Sequence, residues 1–296
     1  MITYNPKDWF TFIFKIHKED TFKELYKMMI FLAVYCLVIT YLEKEFFNLS
    51  QDAPIKNVTL IHTLLGFVLS MLLVFRTNTA YDRWWEGRKL WGSLTNCSRN
   101  FAMKLDAILD ENDEENRTFF ARSISLFAHV LKSHLSSEDT RIMISSNEFK
   151  DLKIPNRAEH TPISCTNSIY QRLIALYRLK KMSDAELRMI ENELKIFMEV
   201  CGGCERIKNT PIPFSYSLFI KKFIFFYIMT MPIGYCLTIG YWSVPLVVFV
   251  FYIIASLEVI AEEIEDPFNF DSNDIPTDVI ANNIERHIHA VLVNKN

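Results

Sequence analysis

Residues 58–75 read VTLIHTLLGFVLSMLLVF, eighteen positions without Asp, Glu, Lys or Arg. At about 1.5 Å per residue such a helix nearly crosses a hydrocarbon core of roughly 30 Å. A shorter run, 28–42, gains length from Leu25, Tyr26 and the apolar stem of Lys27 at one end and from Phe46 and Phe47 at the other. Residues 223–257 carry no charge over 35 positions, about 50 Å as one helix and too long for a single crossing. Pro232, Gly234, Gly240 and Pro245 interrupt that run, and Gly240-Tyr241-Trp242-Ser243 suits an interfacial turn. The expected fold is an all-α membrane protein with four transmembrane helices, at about 25–46, 58–75, 223–239 and 241–257.

Composition agrees. Of 296 residues, 24 are Phe against 7 Gly and 10 Pro, which favours long helices over turn-rich β structure and leaves few glycines for a phosphate-cradling loop. A net charge of -3 gives no electrostatic drive toward nucleic acid. The six cysteines, at 36, 97, 165, 201, 204 and 236, are mostly far apart and do not form a disulfide framework. WFTFIF at 9–14 is followed by Lys15 and Lys18 without a small-residue cleavage site, so no cleaved signal is expected. Residues 1–27 hold five Lys, the 43–58 loop two and the turn near 240 none, while Arg76, Arg83, Arg88, Lys89, Lys221 and Lys222 flank the spans. The positive-inside rule places both termini and the 76–222 segment in the cytosol, and the protein in the cell membrane, the inner one for a Gram-negative source.

The 76–222 segment has helical grammar. Asn112 and Glu115 read as a capping box ahead of Phe120, Ile124, Phe127 and Leu131; Ser183 and Glu186 read as another, ahead of Leu187, Ile190, Leu194 and Phe197. Gly202-Gly203 reads as the stop of that second helix, and roughly 135–166 reads as loop. Without a repeat or flexible linker, the chain is expected to form one unit over 1–296: cytosolic helices continuous with the membrane helices, then an acidic cytosolic segment at 258–296.

The densest motif is FRTNTAYDRWWEGRKLWG at 75–92, where a membrane helix runs into interleaved aromatics and charges. An aromatic belt with flanking arginines accounts for part of it. Asp82 and Glu86 among Arg83 and Arg88 call instead for pairing along the helix or with a neighbouring subunit. Together with LLGF at 64–67, KNTPIPFSY at 208–216 and EDPFNFDSND at 265–274, this motif resembles the bestrophin family, particularly its bacterial branch, in order and over nearly the whole chain. The resemblance implies a homopentamer around one axial pore, with a membrane neck and a cytosolic funnel. It implies a passive channel for chloride or other monovalent anions, with itself, membrane lipids and permeant ions as partners and with no enzymatic activity. Arg76, Asn78, Tyr81, Arg83, Trp84, Glu86, Arg88, Pro213 and Tyr216 fall on its signature and assembly positions.

Phe67, Met71 and Phe75, at i, i+4 and i+8, share one side of the second span. Such a stripe is either ordinary helix packing or, in five copies around an axis, three apolar rings able to gate by dewetting; the resemblance favours the neck. It also implies a cytosolic aperture on the helix before IPFSY, where Leu194 is preferred over Ile190. From 258 to 278 there are eight carboxylates and no Lys or Arg, a solvated acidic face or, by resemblance, a calcium clasp in which Asp271 and Asp274 match the side-chain ligands. Oxygen donors suit Ca²⁺, but the family's denser aspartate run is lacking and the N-terminal arm that completes the clasp is not recognisable.

Three other functions compete. A cation-selective channel of the same fold is compatible with the uncharged neck and the acidic inner region. A membrane thiol oxidoreductase would use Cys201 and Cys204, although this CxxC lies on the reducing side. A secondary transporter would need an inverted repeat or an intramembrane carboxylate, and neither is evident.

Overall fold

A computed structural model describes residues 21–47, 58–136, 161–269, 271 and 273–293, and among them it contains helices and turns but no strand. The helices are α1 (Thr21–Tyr41, continued by a π-helical turn Leu42–Phe46), α2 (Val58–Ile108), α3 (Glu114–Leu135), α4 (Thr161–Arg178), α5 (Asp184–Asn209), α6 (Phe214–Thr230), α7 (Pro232–Ile239) and, after a 3-10 turn Gly240–Trp242, α8 (Ser243–Glu265) and α9 (Thr277–Leu292). They form two compact units rather than one. Ile2–Arg83 with Pro211–Glu265 makes the first, Trp84–Thr210 with Asp266–Asn296 the second. The divisions fall at 83/84, 210/211 and 265/266, eight and twelve residues away from the expected ends of the second span and start of the third.

Three stretches are long and apolar enough to cross a membrane: Thr21–Phe46, Val58–Ile108 and Phe214–Glu265. The third folds back on itself. Lys221 on α6 and Glu262 on α8 are 2.8 Å apart, whereas 41 residues of straight helix would separate them by roughly 60 Å. The reversal is at Gly240, with φ +60, a left-handed conformation that costs an L side chain energy but glycine nothing. The core of this unit is Leu32 and Cys36 of α1, Leu69 and Leu73 of α2, Ile220, Ile224 and Ile228 of α6, and Val247 and Phe251 of α8. Tyr35 donates to the Met229 carbonyl at 3.0 Å.

The helix does not end with the charge-free run at 75. α2 continues through FRTNTAYDRWWEGRKLWG to Ile108, 51 residues in all, because its buried positions keep a near-heptad rhythm across the polar stretch: Leu69, Leu73, Arg76, Ala80, Gly87, Trp91, Leu94, Phe101 and Leu105. It stops where Arg117, 4% exposed, turns back. That guanidinium ion-pairs with Asp106 and donates to the carbonyls of Leu109 (2.8 Å) and Asp110 (2.9 Å), satisfying acceptors that a helix end leaves open.

In the second unit, the capping residue of α3 is Asp113, whose side chain accepts from the Asn116 amide, not Asn112 one position earlier. The Ser183–Glu186 capping box of α5 is formed in both directions. α5 then passes through Gly202-Gly203 to Asn209 instead of stopping. Gly203 serves close packing: a Cβ there would stand 2.9 Å from Leu90 Cδ1. α4 begins at Thr161, earlier than expected; the remainder of the expected loop, 137–160, lies outside the described residues. α9 was not expected at all. Its buried Thr277, Ala281, Ile284, Ile288 and Leu292 repeat at helical spacing and pack against α3. The shared core includes Phe101, Phe120, Ile124, Phe127, Leu131, Ile169, Phe197 and Ile284, with the Phe127 and Phe197 rings 4.7 Å apart.

Candidate pore-lining face and its inner anchor

In its first half α2 presents two faces. Leu69, Leu73, Arg76 and Ala80 are buried in the first unit. About 200° around the helix from Leu69 and Leu73 lie Phe67, Met71 and Phe75, which are 71%, 52% and 55% exposed in the single chain. So much exposed apolar surface is unfavourable in water. In a membrane protein it meets lipid, another subunit or a pore.

Directly after Phe75 the packed face acquires a charge. Arg76 is 1% exposed; its Nη1 stands 2.7 Å from Glu265 Oε2 and its Nε 3.5 Å from Glu258 Oε1. Glu258 is likewise buried. Glu265 is a junction: its Oε1 accepts from the Ile212 amide at 2.7 Å and its carbonyl accepts from Arg83 Nε at 3.0 Å. Pro213 follows Ile212 and leads into α6, with φ -52 and ψ 126. Tyr216 donates its hydroxyl to the Leu72 carbonyl at 3.4 Å. Three motifs that were separate in the sequence thus converge on one carboxylate. In the sequence Glu258 is only one member of an acidic run, and Glu265 adds to that run the first position of EDPFNFDSND. The signal available was a matching number of basic side chains, Arg76 and Lys221, beside apolar spans.

The other signature residues are placed as follows. Asn78 and Thr77 line an apolar groove with Gly66, Leu73, Tyr227 and Leu257; Tyr81 and Arg88 are exposed. In the second unit Trp84 donates from Nε1 to the Asn273 carbonyl at 2.9 Å. Glu86 ion-pairs with Arg206 of α5, so this contact lies within one subunit rather than along α2 or with a neighbour.

Ile190 and Leu194 are corrected. Both are 0% exposed in the α2–α5 core of the second unit; a side chain with no accessible surface within its own subunit cannot line an aperture. Cys201 and Cys204 are also buried, as free thiols in mid-helix. Burial, with the Glu205 charge beside it, pushes the Cys201 thiol up to about 12. Burial raises Cys204 as well. A redox-active CxxC needs the opposite shift.

In the 266–275 loop, Asp274 is buried, and its Oδ2 accepts from the Asp271 amide at 2.8 Å; Asp271 itself is exposed. Asn269 donates to Asp266 Oδ2 at 2.8 Å. Among the described residues no group of three or more His, Cys, Asp or Glu side chains is arranged to hold a metal ion, and Phe270 and Ser272 of the motif lie outside the described residues. An ion that takes six to eight oxygens does not fit these two aspartates as they stand.

A helical membrane protein whose separate motifs meet around one buried ion-pair junction is the class defined so far. The model for the Bacterial/Fungal Bestrophin protein family matches residues 1–290, and the chain belongs to that family. A voltage-dependent anion channel-forming protein of Nostoc sp. is 32% identical over 294 residues, 97% of this chain and 92% of the relative. One from Mesorhizobium japonicum is 31% identical over 92% of this chain and 86% of its own. Among solved structures, a bacterial bestrophin homolog from Klebsiella pneumoniae shares the fold with a TM-score of 0.80 at 22% identity, covering 92% of this chain and 100% of that one.

Proposed function

We propose that the protein is a passive, homopentameric channel of the cell membrane that conducts chloride and other monovalent anions. α1, α2, and the two arms of the α6–α8 hairpin make four crossings, and both termini face the cytosol. Five copies of α2 surround the axis, and Phe67, Met71 and Phe75 form its neck. The observation that carries this reading is the exposure of those three side chains on the face of α2 opposite the packed one. Stacked apolar rings gate by excluding water until they part. The positive edge of a phenylalanine ring can face a passing anion.

The relatives from Nostoc and Mesorhizobium, named as anion channel-forming proteins, support anion over cation conduction. The acidic run favours the cation reading less than its composition implies. Glu258 and Glu265 face Arg76, and Glu262 faces Lys221. Conduction in this reading needs no resident cofactor.

Chloride efflux from proteoliposomes loaded with the purified protein tests the proposal. Rapid, valinomycin-dependent efflux is expected. No efflux from a preparation that native mass spectrometry shows to be an intact oligomer would refute it.

A further inference from the structure

The neck requires more than exposed side chains, because a helix offset by one residue turns about 100° and presents a different row. On the packed side of α2, Leu69 and Leu73 are apolar contacts, which tolerate sliding and rotation. The charged directional contact is Arg76, one position beyond Phe75; towards the start of α2, His62 Nε2 also lies 3.0 Å from Thr230 Oγ1. The Arg76 guanidinium meets two carboxylates of α8, at 2.7 Å on Glu265 and 3.5 Å on Glu258. About two turns further along the same face, Arg83 Nε donates to the Glu265 carbonyl at 3.0 Å. Glu265 is itself fixed from a third direction by the Ile212 amide at 2.7 Å. A buried charge cannot leave its partners without stranding them in a low dielectric. The contact therefore permits one rotational setting of α2 and resists neighbouring ones.

We infer that Arg76 and Glu265, with Glu258 as the second carboxylate, are positioning residues that clamp the rotation of α2 and so hold Phe67, Met71 and Phe75 toward the conduction path. This inference rests on α2 lining the pore. It assigns to the inner end of α8 the control of a neck that α8 does not touch through any charged group. The nearby Lys221–Glu262 pair, about half exposed on both sides, spans α6 and α8 without reaching α2 and is not part of the clamp.

The test reads rotation directly. Phe75→Cys and Val74→Cys are made separately, and each is modified in the assembled protein by a charged, water-soluble methanethiosulfonate; the native thiols are all buried and contribute little background. Both positions are exposed in the single chain (Val74 58%, Phe75 55%), but Val74 borders the apolar groove with Leu73 and Tyr227; with the clamp intact only the neck row meets the water-filled path, and Phe75→Cys reacts faster than Val74→Cys. Adding Glu265→Gln leaves an oxygen for the Ile212 amide but removes the charge facing Arg76, and the ratio of the two rates falls by roughly tenfold, the size of a typical coupling. Glu262→Gln leaves the ratio unchanged. Should Glu265→Gln fail to assemble, Glu258→Gln carries the same test and moves the ratio the same way. An unchanged ratio in the assembled clamp variant would overturn the clamp and reduce Arg76 to a stabilising contact. Equal reactivity of Phe75→Cys and Val74→Cys with the clamp intact would instead remove the pore reading of α2, and the inference with it.

Discussion

Gly87 on α2 faces the ring of Phe268: a Cβ built on the glycine would stand 3.0 Å from Phe268 Cζ and 3.0 Å from Ile275 Cδ1. The RWWEG and EDPF motifs are therefore two sides of one contact, closed only because position 87 has no side chain. Phe268 is 2% exposed and has nowhere to retreat. Gly87→Ala should destabilise the protein by about 1–3 kcal/mol through overpacking, less the fraction of a kcal/mol that alanine returns to a helix. Gly202→Ala, with nothing within 4 Å of its Cβ, should be neutral or stabilise by up to about 1 kcal/mol. Thermal unfolding of the two variants in detergent compares them; equal midpoints would contradict the packing argument.

Two ion pairs that look alike in sequence should behave differently. Glu86 and Arg206 are 41% and 66% exposed in their side chains, so Glu86→Gln should change stability by less than about 1 kcal/mol and leave the oligomer intact. Arg76 is buried with two carboxylates, so Arg76→Met should cost about 3–5 kcal/mol by stranding them. Denaturant titration monitored by tryptophan fluorescence gives both values. A larger loss for Glu86→Gln than for Arg76→Met would reverse the assignment of which charge organises α2.

The buried thiols predict an alkaline weakness. Burial pushes Cys165, and burial with the Glu205 charge pushes Cys201, from 9.0 up to about 12. The fold holds both as neutral thiols, while the unfolded chain ionises them near 9. Their contribution is complete below pH 9 and is lost as pH climbs from 9 toward 12. The unfolding midpoint should fall across that window, and the Cys165→Ala/Cys201→Ala variant should lose part of the slope. An identical pH profile for the variant would show that the two thiols do not contribute.

At the neck, Phe67→Ala, Met71→Ala and Phe75→Ala each remove one apolar ring and should raise single-channel conductance or open probability severalfold. Planar-bilayer recording of the three measures it. No change in any of them would make the stripe a lipid or packing face.

The membrane helices were legible because a charge-free run of 18 residues has few other uses, and Gly240 with its polar-aromatic neighbours marked the reversal. The continuation of α2 to Ile108 was harder to read, since Arg76 looks like a flanking positive charge. Its burial depends on Glu258 and Glu265, some 180 residues away, which no local pattern reveals. Gly203 carried the usual mark of a helix end, yet it was chosen for its approach to Leu90. For Ile190 and Leu194, periodicity shows that a side chain faces something without showing what; here it is the core of their own subunit. α9 was hidden behind the acidic stretch before it, although Ala281, Ile284, Ile288 and Leu292 already had helical spacing.

The reversal potential of the purified protein in a planar bilayer under an asymmetric KCl gradient tests the account most directly. The account predicts reversal near the chloride equilibrium potential. Reversal near that of potassium would contradict it: the helical fold would stand, and the acidic inner region around Glu262 and Glu263 would replace the neck as the place to look for selectivity.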